Sequence, residues 1–254
     1  MRYFVEFAYE GTPYHGWQRQ PNAISVQEVM EDAFSLLFGK PVALIAAGRT
    51  DTGVHARHIV AHFDLNEALN TQEFCYRLNS YLPNDISIKR IFRVTDKAHA
   101  RFDALERTYE YVLVQQKDPF HQHSAHYVRQ ALDVDMMNLA AEELLGKADF
   151  KCFSKSNTDV KTYICDIKLA RWVWEGDRLV FRITADRFLR NMVRAIVGTL
   201  LQVGIGKWTA EDVKTIINSR KRSEAGPSVP AKGLYLVDIS YPENLLEIHG
   251  SGDR

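Results

Sequence analysis

Residues Tyr3 to Tyr9 alternate and favour extended backbone, which predicts a strand. Ser25-Val-Gln-Glu28 has the form of a capping box at a helix start. Val26, Val29, Met30, Ala33 and Leu37 then fall at the spacing of one buried helix face, and Gly39 with Pro41 ends the run. Val42 to Ala47 is apolar and reads as a short inner strand. His58 to Leu65 alternates, with Ile59, Ala61, Phe63 and Leu65 on one face. Thr71 to Tyr81 reads as a helix stopped by Pro83, and Ile86 to Val94 alternates again. The order is β-α-β-β-α-β, the ferredoxin-like unit.

The same order recurs in the second half. Arg107 to Val114 predicts a strand and Asp133 to Gly146 a helix. Thr162 to Trp174 and Leu179 to Ala185 predict two strands joined at Glu175-Gly-Asp177, a hairpin signal. Arg187 to Val203 has helical periodicity, Thr209 opens a helix running to Ser219, and Leu234 to Ile239 closes the series as a strand. Lys117 to Gln130 reads as a loop between the halves or an irregular excursion from the second one. The class is therefore α+β, in two ferredoxin-like halves, residues 1–104 and 105–254.

Composition changes this picture little. With 46% hydrophobic and 25% charged residues, the 254-residue chain has the make-up of a folded globular protein rather than a disordered one. No apolar run approaches the roughly 20 residues of a membrane helix. The N-terminus lacks a basic segment followed by an apolar core, so no secretory signal is expected. Three cysteines without CxxC spacing fit a reducing, cytoplasmic setting and no cysteine-based metal site. Lys+Arg and Asp+Glu are both 32, so any attraction to nucleic acid must come from local clustering.

Four segments carry candidate chemistry. In Gly48-Arg-Thr-Asp-Thr-Gly53, two glycines bracket Arg49, Thr50 and Asp51 between two predicted strands. Asp51 is either a reactive carboxylate at a strand end or a turn residue paired with Arg49. Arg107, Tyr109 and Tyr111 fall on one strand face, where rings stack on a base or pack a core. Arg187, Arg190 and Arg194, at i, i+3 and i+7 of the predicted helix, share an edge suited to phosphates, with Lys207 and Arg220-Lys-Arg222 in the same half. The loop Tyr9 to Gln20, which includes Trp17 and Arg19, has the rings and amides that contact single-stranded bases, or forms a turn around a buried Trp. His121, His123 and His126 lack a fixed carboxylate or Cys, so no metal site is expected, and no nucleotide-binding motif occurs.

Taken together, the chain resembles the tRNA pseudouridine synthase A family over nearly its whole length. The resemblance rests on Gly16-Trp-Gln18, Gly48-Arg-Thr-Asp-Thr-Gly-Val-His-Ala56 and Leu82-Pro-Asn-Asp-Ile86. It continues through Ala100-Arg-Phe-Asp-Ala104 with Arg107-Thr-Tyr-Glu-Tyr111, Phe188-Leu-Arg-Asn-Met-Val-Arg194 with Val197-Gly198, and Pro230-Ala-Lys-Gly-Leu234. Tyr9-Glu10 stands where Tyr-Asp is common, and Thr162 to Asp166 lacks an Arg often found there. The resemblance implies two halves forming a continuous, mainly antiparallel sheet flanked by helices, with a central active-site cleft. It implies an isomerase that converts uridine to pseudouridine at positions 38, 39 and 40 of the tRNA anticodon stem-loop. No cofactor is implied; a homodimer is.

Carried over by position, Asp51 is implied as the nucleophile and Tyr109 as the ring against the target uracil. Arg194 is the basic residue beside the aspartate, Arg49 helps to position it, and Leu234 is an apolar wall of the base pocket. Arg19, Arg187, Arg190 and Lys207 are the candidate contacts to the tRNA backbone. The chemistry fits a single carboxylate that attacks a carbon and leaves again, where a glycosidase ordinarily uses two. Two other classes are compatible with the residues alone: a noncatalytic module that binds structured RNA, and an enzyme acting on a small nucleoside or sugar.

Overall fold

The computed structural model describes residues 1–155 and 160–246. The described residues form two compact units, Met1–Leu105 with 236–246, and those between Glu106 and Tyr235. Each is α+β, with mainly antiparallel strand pairing and helices, as the pattern of apolar positions predicts.

In the first unit the elements are β1 (Arg2–Tyr9), α1 (Val26–Phe38), β2 (Ile45–Ala46), β3 (His55–Asp64), α2 (Thr71–Tyr81) and β4 (Ile86–Val94). β1 lies between β4 and β3, antiparallel to both. The residues of β1 from Tyr3 to Phe7 are all buried, which suits a central strand covered on both faces. β2 pairs with the far end of β3, Ile45 opposite His62 and Ala46 opposite Ala61, giving the order β4-β1-β3-β2. Phe34, Phe63 and Phe74 pack edge to face at 5.0 and 5.5 Å, fixing both helices to the sheet.

The second unit holds β5 (Glu106–Val114), β6 (His126–Tyr127), α3 (Val134–Glu142), β7 (Gly146–Asp149), β8 (Ile164–Glu175), β9 (Arg178–Ala185), α4 (Met192–Gly204) and α5 (Ala210–Ser219). β10 (Leu234–Ser240) begins in it and continues into the first unit, and α6 (Glu243–Leu246) follows. The strand order is β5-β9-β8-β7, with β6 parallel to β5. Thr209 and Asp212 close a complete capping box at the start of α5.

Five local expectations are corrected. The predicted helix from Arg187 begins only at Met192. Asn191 adopts a left-handed conformation (φ 66°) and its amide donates to Ser228 Oγ at 2.6 Å. The Arg190 carbonyl, which a continuous helix would use internally, accepts instead from the Lys155 N–H at 3.0 Å. Arg187 and Arg190 therefore do not share a helix edge with Arg194. The helix predicted to Gly146 ends at Glu142, after which short bonds from Leu144 and Leu145 tighten the chain into β7, paired with β8. The strand predicted over Val42 to Ala47 is two residues long and exposes Ile45, so it is a marginal strand rather than an inner one. At α1, Ser25 Oγ accepts from the Glu28 N–H at 3.2 Å, but the Glu28 carboxylate faces Arg19 at 3.5 Å instead of closing the box. Finally, the loop from Lys117 to Gln130 contains β6 and a helical turn capped by Asp118.

Candidate active site

Gly48 to Val54 connects β2 to β3, and its backbone is held by the segment that follows β1. The Trp17 N–H donates to the Thr50 carbonyl at 3.3 Å, and the Gly53 N–H donates to the Tyr14 carbonyl at 3.2 Å. The Tyr9 hydroxyl meets Thr50 Oγ1 at 2.8 Å. The Val54 N–H closes a turn on the Asp51 carbonyl at 3.1 Å. Gly16 makes this packing possible: it has φ 84°, and a Cβ there would lie 2.4 Å from the Thr50 carbonyl oxygen. One step further on, the Gly11 N–H donates to His55 Nδ1 at 3.0 Å, fixing the buried His55 at the start of β3.

The two loops read separately in the sequence are thus one assembly. Trp17 is only 3% exposed and lies 5.4 Å from the Phe7 ring, so it is the buried anchor of a turn and not a base-stacking surface. Asp51 is half-buried between two residues fixed by the neighbouring segment, and Arg49 beside it is exposed. These bonds fix the backbone that carries the carboxylate, and a fixed backbone is a first requirement for aiming a nucleophile. Arg19 sits among Glu28, Glu31 and Asp32 at 3.5, 3.5 and 3.8 Å, so its positive field toward a phosphate is largely offset.

In the second unit, β5 places Tyr109 opposite Ile183 of β9, and Tyr109 is 9% exposed. The Phe188 ring meets the Tyr109 ring edge-on at 5.1 Å. The non-helical stretch before Met192 makes this contact, so the correction to the start of α4 is also what builds the surroundings of Tyr109. Tyr111, two residues along, is wholly buried; burial pushes its phenol above the ordinary range, and it donates to the Pro230 carbonyl at 2.8 Å. Arg194 Nε donates to the neighbouring Val229 carbonyl at 2.7 Å, and the Val229 N–H returns a bond to the Arg194 carbonyl at 3.2 Å. Leu234 is buried at the start of β10.

Of the other cations, Arg182 pairs with Glu110 at 2.6 Å and Glu175 at 3.2 Å. Arg222 binds the Ala225 and Gly226 carbonyls and Ser228 Oγ. Both serve the fold. Arg190 and Lys207 are exposed, and Arg187 is half-buried, with Arg107 donating to the carbonyl of the preceding Asp186. Phe188 is absent from the sequence-based candidates, and Tyr9 enters them only as the first residue of the Tyr9 to Gln20 loop, without its contact to the Asp51 loop. Phe188 stands inside a quoted motif that the periodicity reads as helix, and the Tyr9 contact spans 41 positions, which no local periodicity reveals.

A family model described as tRNA pseudouridine synthase matches residues 7–103 and 140–242. A tRNA pseudouridine synthase A of Parabacteroides distasonis is 48% identical over 97% of this chain and 98% of its own length. Those of Bacteroides thetaiotaomicron and Porphyromonas gingivalis are each 51% identical over 96% of this chain, covering 92% and 98% of their lengths. The loop around Asp51 and the segments that hold it all fall inside the matched span. By sequence, over nearly its whole length, this chain belongs to the tRNA pseudouridine synthase A family.

Proposed function

We propose that this protein converts uridine to pseudouridine in the anticodon stem-loop of tRNA, with Asp51 as nucleophile and without a cofactor. The observation that carries the reading is the half-buried Asp51 held on a loop whose backbone is bonded on both sides to the Tyr9–Trp17 segment. The reaction breaks the C1′–N1 bond, forms C1′–C5, and moves one proton from C5 to N1. Nothing is oxidised or lost to water, so a carboxylate that attacks and leaves supplies what is needed.

In this reading the target uridine leaves the base stack and rests against Tyr109, with Leu234 as an apolar wall. Arg194 keeps a carboxylate charged when water is excluded, since burial disfavours the anion and a guanidinium favours it. Arg49 aims Asp51, and Arg187, Arg190 and Lys207 meet phosphates. A homodimer in the cytoplasm completes the proposal.

The test is to incubate full-length tRNA transcripts with the protein and map pseudouridine at every uridine. Product confined to the anticodon arm, at positions 38 to 40, supports the reading. Tight tRNA binding with no product at any uridine would instead leave an RNA-binding module, and turnover of free uridine or its nucleotides would point to a small-molecule enzyme.

A further inference from the structure

Tyr14 is 4% exposed, yet nothing so far explains its hydroxyl. That hydroxyl donates to Asp85 Oδ1 at 2.6 Å. Asp85 stands in the turn before β4, 71 positions away, and the Glu10 N–H donates to its carbonyl at 2.8 Å. The Tyr14 carbonyl, at the other end of the same residue, accepts the Gly53 N–H two residues after Asp51. Tyr14 thus bridges the β4 turn and the Asp51 loop. Burial, the bond to Asp85 and nearby Glu10 push the phenol well above its ordinary range, so it stays protonated and donates at every working pH.

From this geometry we infer that Tyr14 and Asp85 are positioning residues for the isomerisation: their hydrogen bond sets the direction of the Asp51 carboxylate through the Tyr14 carbonyl and Gly53. A phenylalanine would fill the same space and keep the main-chain bond to Gly53. What it loses is the anchor that fixes where that main chain sits. A carboxylate misplaced by a fraction of an ångström to about 1 Å reacts up to about a hundredfold more slowly while substrate still binds.

This inference rests on the proposed role of Asp51, and the experiment separates the two. Single-turnover pseudouridine formation and tRNA binding are measured for wild type, Asp51→Asn, Tyr14→Phe, Asp85→Ala, Asp85→Asn and the double variant Tyr14→Phe/Asp85→Ala. The inference expects Tyr14→Phe and Asp85→Ala each to slow the step about ten- to a hundredfold, with the tRNA Kd unchanged. The double variant should be no slower than the worse single one, because both remove one bond. Asp85→Asn keeps an acceptor oxygen for the phenol and should restore most of the rate, which distinguishes positioning from bulk stability. Full activity in Tyr14→Phe, with Asp51→Asn inactive, overturns the inference alone. Additive losses in the double variant, or loss in Asp85→Asn equal to that in Asp85→Ala, overturn it too. Activity retained in Asp51→Asn overturns the nucleophile reading, and this inference with it.

Discussion

Glu6 and His62 are ionisable side chains in the middle of paired strands, and through them folding is linked to pH. The His62 Nδ1 accepts the buried Ala100 N–H at 3.2 Å, a bond only a neutral ring can accept. Burial, with Arg2 and His99 nearby, pushes the imidazole down to about 4 from the ordinary 6.5. As pH falls below 6.5, the unfolded chain takes up a proton that the folded one refuses, so stability falls until about pH 4 and then levels off for this group. Glu6 acts with the same sign at lower pH. Burial alone would raise it, but His58, 3.8 Å away, and the two bonds from Arg90 outweigh that and hold it at about 2. Its stabilisation is complete above about 4.5 and is lost as pH falls toward 2. Urea midpoints measured across pH should therefore decline in two limbs, and His62→Gln should flatten the upper one while leaving the lower. An upper limb of unchanged slope in that variant would contradict the assignment. If Arg194 has the role proposed for it, Arg194→Met should slow the chemical step more than it weakens tRNA binding, and equal losses in rate and affinity would argue for a binding role.

Among the elements, α4 shows how closely backbone can meet backbone. A Cβ on Gly198 would lie 1.7 Å from the Pro227 carbonyl oxygen, so the 226–230 segment rests directly on the helix. Thr199 Oγ1 accepts the Gly226 N–H at 2.9 Å and donates to Ala195. The same segment supplies the Val229 and Pro230 carbonyls bound by Arg194 and Tyr111. Gly198→Ala should cost about 1–3 kcal/mol or more, since the obstacle is backbone and not a side chain that can turn away. Denaturant unfolding measures it, and a variant as stable as wild type would show that the contact is loose.

The same element marks how far the sequence was legible. α2 and β4 appear over the spans their apolar spacing predicts, because each buries one face and is bounded by local signals such as Asn70, which caps α2, and Pro83. The start of α4 was not legible, because Leu189 and Met192 keep helical spacing while Asn191 and the Lys155–Arg190 bond, a long-range contact, redirect the backbone. The Asp51 loop was legible as a motif, from its glycines and acidic turn residue. Its support by Tyr9, Tyr14 and Trp17 was not, because those contacts join segments more than thirty positions apart.

Across the whole molecule, equal numbers of acidic and basic residues leave no net charge to draw in RNA. Binding must then depend on a few local cations, and many of the obvious ones are committed elsewhere, Arg182 to Glu110, Arg222 to the chain around Gly226 and Arg19 to three carboxylates. Arg190 and Lys207 are exposed side chains, Arg190 with local interactions of its own. If Arg190 meets one phosphate, Arg190→Ala should lower the slope of log affinity against log salt by about 1 and weaken binding to all substrate tRNAs alike. An unchanged slope would remove Arg190 from the contacts. Among the described residues no helix is long and apolar enough to cross a membrane.

The central claim is that chemistry in this fold rests on one carboxylate, which the loop between β2 and β3 holds in place. Its most direct test compares wild type with Asp51→Asn on the same tRNA, measuring pseudouridine formed in a single turnover and the tRNA Kd side by side. The account predicts product from wild type alone and closely similar binding by both proteins. Product formed by Asp51→Asn at a rate near that of wild type would contradict it.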